Sequence, residues 1–232
     1  MIATHMDAIG LMVTEVVGEF LHITQVGGID ARILPGTPVT VYATRGGKVE
    51  ELFGVVVQPH QRALPAGDGP VALKDLLIDV GLSAKEAAAK INIGDLAAFA
   101  TAPVELSGDV ISGHTLDNRA SVAALTVALE ELQGKSHAWD VWAVATVQEE
   151  TVLGGAFTSA FELKPDLAVT IDVTFAKGPG ASDWSTFPLG KGPTLAFGPN
   201  MHTYLFTKFK ELADRLEIPY AVEIVLRHSG TD

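Results

Sequence analysis

Hydrophobic and polar positions along the chain fall into two textures. Over residues 11–100, short β-prone runs (11–17, 20–25, 38–43 and 53–58) alternate with punctuation such as Gly27-Gly28, Pro35-Gly36 and Gly46-Gly47. Short strands with closely spaced turn signals predict a small barrel or sandwich. One helix interrupts this region at 84–91, announced by Ser83 with Glu86 three residues on, the pattern of a capping box. Gly94-Asp95 then turns the chain into a strand over 96–100. The stretch 58–70 holds three Pro and two Gly and predicts an exposed loop.

Beyond about residue 107 the rhythm becomes strand, helix, strand, helix. Residues 119–132 carry Val122, Leu125, Ala128, Leu129 and Leu132 at helical spacing. The nearly continuous apolar run 138–147 predicts a strand buried on both faces of a sheet. A helix over 154–163, a second buried strand over 166–172, an amphipathic helix over 203–216 and a strand over 220–226 follow. Residues 1–4 read as the tail of a buried strand that returns to this later sheet. The expected fold is therefore α/β, with a mixed sheet flanked by helices in three layers and a small β-barrel-like domain inserted into it. The predicted boundaries are 1–10 with 107–232 for the discontinuous α/β catalytic domain, and 11–106 for the β-rich insertion, with no internal repeat.

Composition narrows the chemistry. Among 232 residues there are 16 Lys plus Arg against 28 Asp plus Glu, a formal charge of −12, with no basic cluster to offset it. Such a surface repels phosphate backbones, so nucleic acid is not expected as a partner. The absence of cysteine removes disulfides, thiolate nucleophiles and thiolate metal ligands. No run approaches the roughly 18 uninterrupted apolar residues of a membrane span, and no charged leader precedes the first strand. A cytoplasmic protein without a membrane partner is the expectation. Neither a Gly-x-Ser-x-Gly elbow nor a phosphate-binding Gly-rich loop with its Lys occurs.

Six side chains share one kind of place: the carboxyl end of a strand or the start of the next helix, where ligands bind in open α/β sheets. His5 and Asp7 stand two apart, Asp117 precedes the 119–132 helix, Glu149-Glu150 closes the 138–147 run, and Asp172 closes the next strand. Each alone has an ordinary structural explanation as a helix cap, a turn residue or a solvated strand end. Together, carboxylates gathered on one sheet edge repel one another and call for a cation. Oxygen donors plus imidazole suit Zn, Co or Mn.

The pieces His5-Met6-Asp7-Ala8-Ile9-Gly10, Leu116-Asp117-Asn118-Arg119, Gln148-Glu149-Glu150 and Thr170-Ile171-Asp172-Val173 come in the order found in tetrahedral aminopeptidases. With Gly27-Gly28-Ile29-Asp30, Ile93-Gly94-Asp95 and Gly230-Thr231-Asp232, the chain resembles the dinuclear metallopeptidases of the M42 family along its whole length. The resemblance implies a metal-dependent aminopeptidase that hydrolyses the N-terminal residue of peptides. It implies two divalent ions per intact subunit, Zn or Co, sharing a carboxylate and a hydroxide. His5 and Asp172 correspond to ligands of one ion, Asp117 to the bridging carboxylate and Glu150 to a ligand of the second. Glu149 corresponds to the general base and Asp7 to the residue that orients His5. It also implies peptide substrates and a homo-oligomer, dimers assembling into a tetrahedral dodecamer through the inserted domain.

The match has departures. The family pattern carries a further histidine ligand beyond the Gly-Thr-Asp segment, and a helix and strand before the first histidine. The sequence therefore reads as truncated at both ends. Asn118 stands where the family often has Asp, and Ser229 where it often has Gly. His228, beside Ser229, is the remaining histidine that could approach the sheet edge, while His114 reads as structural. The alternative expectation is a catalytically impaired homologue acting as an assembly or binding module. A metal-free glycoside hydrolase fits adjacent Glu149 and Glu150 less well.

Overall fold

The computed structural model describes residues 1–59, 71–227 and 229–232. The expected loop at 58–70 lies, from residue 60 on, outside the described residues. In chain order the elements are β1 (Ile2–His5), β2 (Gly10–Val17), β3 (Phe20–Val26), β4 (Pro38–Ala43), β5 (Glu50–Val57), β6 (Leu77–Asp79), α1 (Ala84–Lys90) and β7 (Leu96–Phe99). They continue through β8 (Val104–Leu106), β9 (Val110–Ser112), α2 (Leu116–Leu132), β10 (Ala143–Thr146), α3 (Glu149–Val152) and α4 (Gly154–Leu163). β11 (Val169–Thr170), β12 (Thr194–Phe197), α5 (Thr203–Arg215) and β13 (Ala221–Ile224) complete the chain. Among the described residues no helix is long and apolar enough to cross a membrane.

Two compact units result. One comprises Met6–Ala120 with Glu150–Gly154, the other Met1–His5, Ser121–Glu149 and Gly155–Asp232.

In the first of these, six antiparallel strands close into a barrel in the order β2-β3-β6-β5-β4-β7. The alternation read from the sequence is the cause. On β4, Val39, Val41 and Ala43 turn inward while Thr40 and Tyr42 turn outward, as a two-residue period demands. Leu11, Leu21, Val56 and Ile78 meet them in a fully buried core. Each such side chain contributes about 1.5–3 kcal/mol by leaving water. Asp95 locks the seam. Its buried carboxylate accepts from the Thr44 amide (3.1 Å), the Thr44 hydroxyl (2.6 Å) and the Asn92 amide (2.8 Å), tying the end of β4 to the start of β7. The capping box forms as expected: Glu86 Oε2 accepts from the Ser83 amide at 3.0 Å, and Ser83 Oγ accepts from the Glu86 amide at 3.4 Å. Strand β6 and the β8–β9 hairpin, three residues a strand, are additions to the expected elements.

In the other unit, β1 is the central strand of a parallel sheet ordered β10-β1-β11, so the opening residues do return to the later sheet. A second parallel pair joins β12 to β13. Glu223 on β13 accepts from Thr194 Oγ1 on β12 and from Thr174 Oγ1 after β11, both at 2.9 Å.

The structure corrects two strand expectations here. The run 138–147 forms a strand only over Ala143–Thr146, and 166–172 only over Val169–Thr170. Neither is covered on both faces: Ala143 and Ala145 of β10 and Thr170 of β11 are exposed, as are Trp139 and Trp142 in the run before β10. Only the central strand is enclosed, with Ala3, Thr4 and His5 essentially inaccessible. The helices form where expected, yet their apolar faces stay largely open. Leu125 is buried on α2, but Phe157 and Phe161 of α4 are 69% and 78% exposed. An apolar run marks a surface that can be covered, and these are not covered by the chain's own described residues.

Candidate metal centre

His5 ends the central strand and is 1% exposed. Parallel pairing on both sides brings the carboxyl ends of β10 and β11 beside it. The imidazole Nε2 accordingly lies 3.7 Å from Glu149 Oε2 and 3.6 Å from Asp172 Oδ1. These separations exceed hydrogen-bond lengths. The His5–Asp172 separation is of the size expected between two atoms that each lie about 2.0–2.2 Å from one divalent ion. A buried imidazole beside an Asp172 oxygen fits a borderline cation of the Zn or Co kind, with the Glu149 carboxylate close enough to serve as a base next to it.

Two further bonds moor Asp172. The Val173 amide donates to its Oδ1 at 2.7 Å, and the Thr231 hydroxyl donates to its Oδ2. The next residue, Asp232, accepts from the Thr146 hydroxyl at the end of β10. Glu149 opens α3, and two residues before it the chain meets Gly155 closely. Gly155 donates its amide to Val147 O at 2.8 Å, and a Cβ there would stand only 2.5 Å from that oxygen.

The barrel-containing unit holds the other three expected residues, Asp7, Asp117 and Glu150. Asp7 Oδ2 accepts from the Glu150 amide at 3.4 Å. The Glu150 carboxylate packs against Gly27, whose φ of +79° and lack of Cβ make room for it: a Cβ there would lie 2.6 Å from Ile9 Cγ2 and 3.2 Å from Glu150 Oε2. Asp117 and Asn118 sit in a non-helical opening of α2, joined by a cis peptide, and regular helix starts with Arg119 as the sequence predicts. Asn118 is fully buried, and Arg119 Nε donates to Met6 O at 3.3 Å. His114 packs edge-on against Phe99, its Nδ1 buried without a hydrogen-bond partner. Burial first, and then the positive charge of Arg119, push its pKa below the ordinary histidine value.

Within the units, then, His5 gathers Glu149 and Asp172, while Asp7 gathers Glu150. His228, the remaining histidine weighed as a ligand, lies outside the described residues. Sequence reasoning missed Thr146 and gave Thr231 and Asp232 no bonding role. The signal available was the Gly-Thr-Asp segment itself, which bears a hydroxyl and a carboxylate in succession.

The sequence profile of M42 glutamyl aminopeptidases matches residues 1–232. A lysyl aminopeptidase of Pyrococcus furiosus is 34% identical, over 100% of this chain and 67% of its own length. Among solved structures, an aminopeptidase from the archaeon Desulfurococcus kamchatkensis is 33% identical with a TM-score of 0.86, covering 100% of this chain and 65% of that one. A Pyrococcus horikoshii peptidase that can assemble into a tetrahedron or a large octahedral shell is 30% identical with a TM-score of 0.82, over 99% of this chain and 69% of that one. The chain thus spans about two thirds of the length of the relatives it matches. With the family profile matched along all its residues, this chain belongs to the M42 glutamyl aminopeptidase family, a family of metal-dependent peptidases.

Proposed function

We propose that the chain belongs to a metal-dependent aminopeptidase that removes the first residue of a peptide. In this reading His5 and Asp172 would hold one divalent ion, Asp117 would be the carboxylate shared with a second, and Glu150 would hold the second. Asp7 orients the His5 ring. The observation that carries the reading is the buried His5 Nε2 with Glu149 and Asp172 oxygens at 3.7 and 3.6 Å. Zn or Co is the expected occupant, as the donors are imidazole and carboxylate.

A divalent pair supplies Lewis acidity, polarising the scissile carbonyl and making water a better nucleophile near neutral pH. Glu149 does the proton work. Its carboxylate accepts a proton from the attacking water as the oxygen–carbon bond forms. It then returns that proton to the leaving nitrogen as the carbon–nitrogen bond breaks. One water is consumed, and the products are a free amino acid and a peptide shorter by one residue. Glu149 suits the task because its carboxylate stands beside the buried His5 imidazole, Oε2 lying 3.7 Å from Nε2.

The assembly reading is also a proposal. The insertion 11–106 serves as the dimerisation and assembly domain of a homo-oligomer, dimers joining into a tetrahedral dodecamer. Its support is the resemblance to self-assembling relatives and the exposure of Ile33, Phe53 and Ile93 on the barrel unit.

The test is chelation followed by metal add-back, read with aminoacyl chromogenic substrates. Hydrolysis is expected to vanish with the metal and return with Zn²⁺ or Co²⁺. Hydrolysis that survives complete chelation contradicts the proposal.

A further inference from the structure

We infer that Thr231 and Asp232 form a positioning clamp across the carboxyl edge of the β10-β1-β11 sheet, presenting one chosen oxygen of Asp172 to a divalent cation. The inference rests on the reading of Asp172 as a metal ligand.

The argument starts from strand order. β1 is central, β10 and β11 are its neighbours, and neighbouring strands lie about 4.8 Å apart. The carboxyl ends of the two edge strands are therefore about 10 Å apart, with His5 at the end of the strand between them. Consecutive residues in extended chain turn their side chains to opposite sides, so one dipeptide can reach both ends. Thr231 reaches one side, its hydroxyl donating to Asp172 Oδ2 just after β11. Asp232 reaches the other, accepting from Thr146, which pairs with His5 in the β1–β10 register. Ser229 steadies the segment by accepting the Thr231 amide at 3.2 Å.

The clamp makes the two oxygens of Asp172 unequal. Oδ2 accepts from the Thr231 hydroxyl. Oδ1, which takes the Val173 amide at 2.7 Å, is the oxygen 3.6 Å from His5 Nε2. Each carboxylate oxygen has two lone pairs and accepts one bond here, so what distinguishes Oδ1 is its position toward His5. Thr231 thus fixes the rotation of the carboxylate so that Oδ1 is the oxygen aimed at the imidazole. Neither Thr231 nor Thr146 meets substrate in this account; each acts through a neighbour.

The experiment measures the Zn²⁺ dissociation constant of the full chain by competition with a chromogenic chelator. The variants are Thr231→Val, Thr231→Ser, Thr146→Val and Asp172→Asn, with circular dichroism reporting folding of each metal-free protein. Thr231→Val is expected to weaken Zn²⁺ binding by roughly 10–100-fold, the usual effect of losing a bond that orients a ligand. Thr146→Val is expected to weaken it in the same direction, and Thr231→Ser, which keeps the hydroxyl, to match the parent. A folded Thr231→Val protein that binds like the parent, while Asp172→Asn binds weakly, overturns the clamp alone. Parental binding by Asp172→Asn overturns the ligand reading beneath it. Should the Thr231→Val protein not fold, Thr146→Val decides: weaker Zn²⁺ binding by the folded protein supports the clamp, and parental binding overturns it.

Discussion

His5 and Thr146 face each other at the last register position of the parallel β1–β10 pair. The imidazole that meets Glu149 and Asp172 and the hydroxyl that donates to Asp232 therefore leave the sheet at the same level. A strand end supplies what such a site needs: a backbone fixed by pairing on both sides, and side chains beyond it still able to converge on a ligand.

Glu149→Gln separates base from ligand. The amide cannot accept the proton of water, so turnover is expected to fall by about 10²–10⁴-fold. Metal content, measured by elemental analysis of the dialysed protein, is expected to stay at the parental stoichiometry. Loss of the metal together with activity would make Glu149 a ligand instead.

Gly27→Ala tests the packing behind Glu150. The residue would hold a left-handed backbone and press a methyl against Ile9 and the Glu150 carboxylate. A non-glycine residue in that region costs on the order of 1–3 kcal/mol. Chemical denaturation is expected to show a loss of that size. An Ala variant as stable as the parent contradicts the close approach.

Leu21→Ala and Phe161→Ala are expected to behave oppositely. Leu21 is fully enclosed in the barrel, and Leu→Ala in such a place costs about 2–5 kcal/mol. Phe161 is 78% exposed, and its removal should change stability by no more than about 0.5 kcal/mol. Denaturant midpoints of the two variants check both.

Stability is expected to fall on mild acidification, partly through His114. Its folded pKa lies below the ordinary 6.5 because burial and the Arg119 charge disfavour the imidazolium. Below about 6.5 the unfolded chain takes up a proton that the folded chain does not. Stability is lost as pH drops from that value to the lower folded one, and is constant with respect to this group outside the window. His114→Gln removes its share, so the variant's unfolding free energy should vary less with pH over that window. An unchanged pH slope in the variant would show that His114 titrates normally.

Much of the barrel was legible because its signals are local. The inward run Val39, Val41, Ala43 and the Ser83–Glu86 capping box each lie within a few residues, and each appears in the structure as read. Strands of three or four residues, such as Leu77–Asp79 and Thr194–Phe197, carry too few alternations to stand out. The lengths of the 138–147 and 166–172 strands were misjudged for another reason. Apolarity reports what a strand could bury, whereas the elements packed on its faces set what it does bury. At the site, residue types at strand ends pointed to His5, Glu149 and Asp172. The Thr231–Asp172 and Thr146–Asp232 bonds span 59 and 86 residues, and no local pattern encodes such pairings.

The most direct test is anomalous diffraction from crystals of the chain prepared with Zn²⁺, with data collected above and below the zinc absorption edge. The account predicts a strong edge-dependent peak in ligand contact with both His5 Nε2 and Asp172 Oδ1. A zinc-replete crystal with no peak there, and with the imidazole hydrogen-bonded directly to a carboxylate, would contradict it.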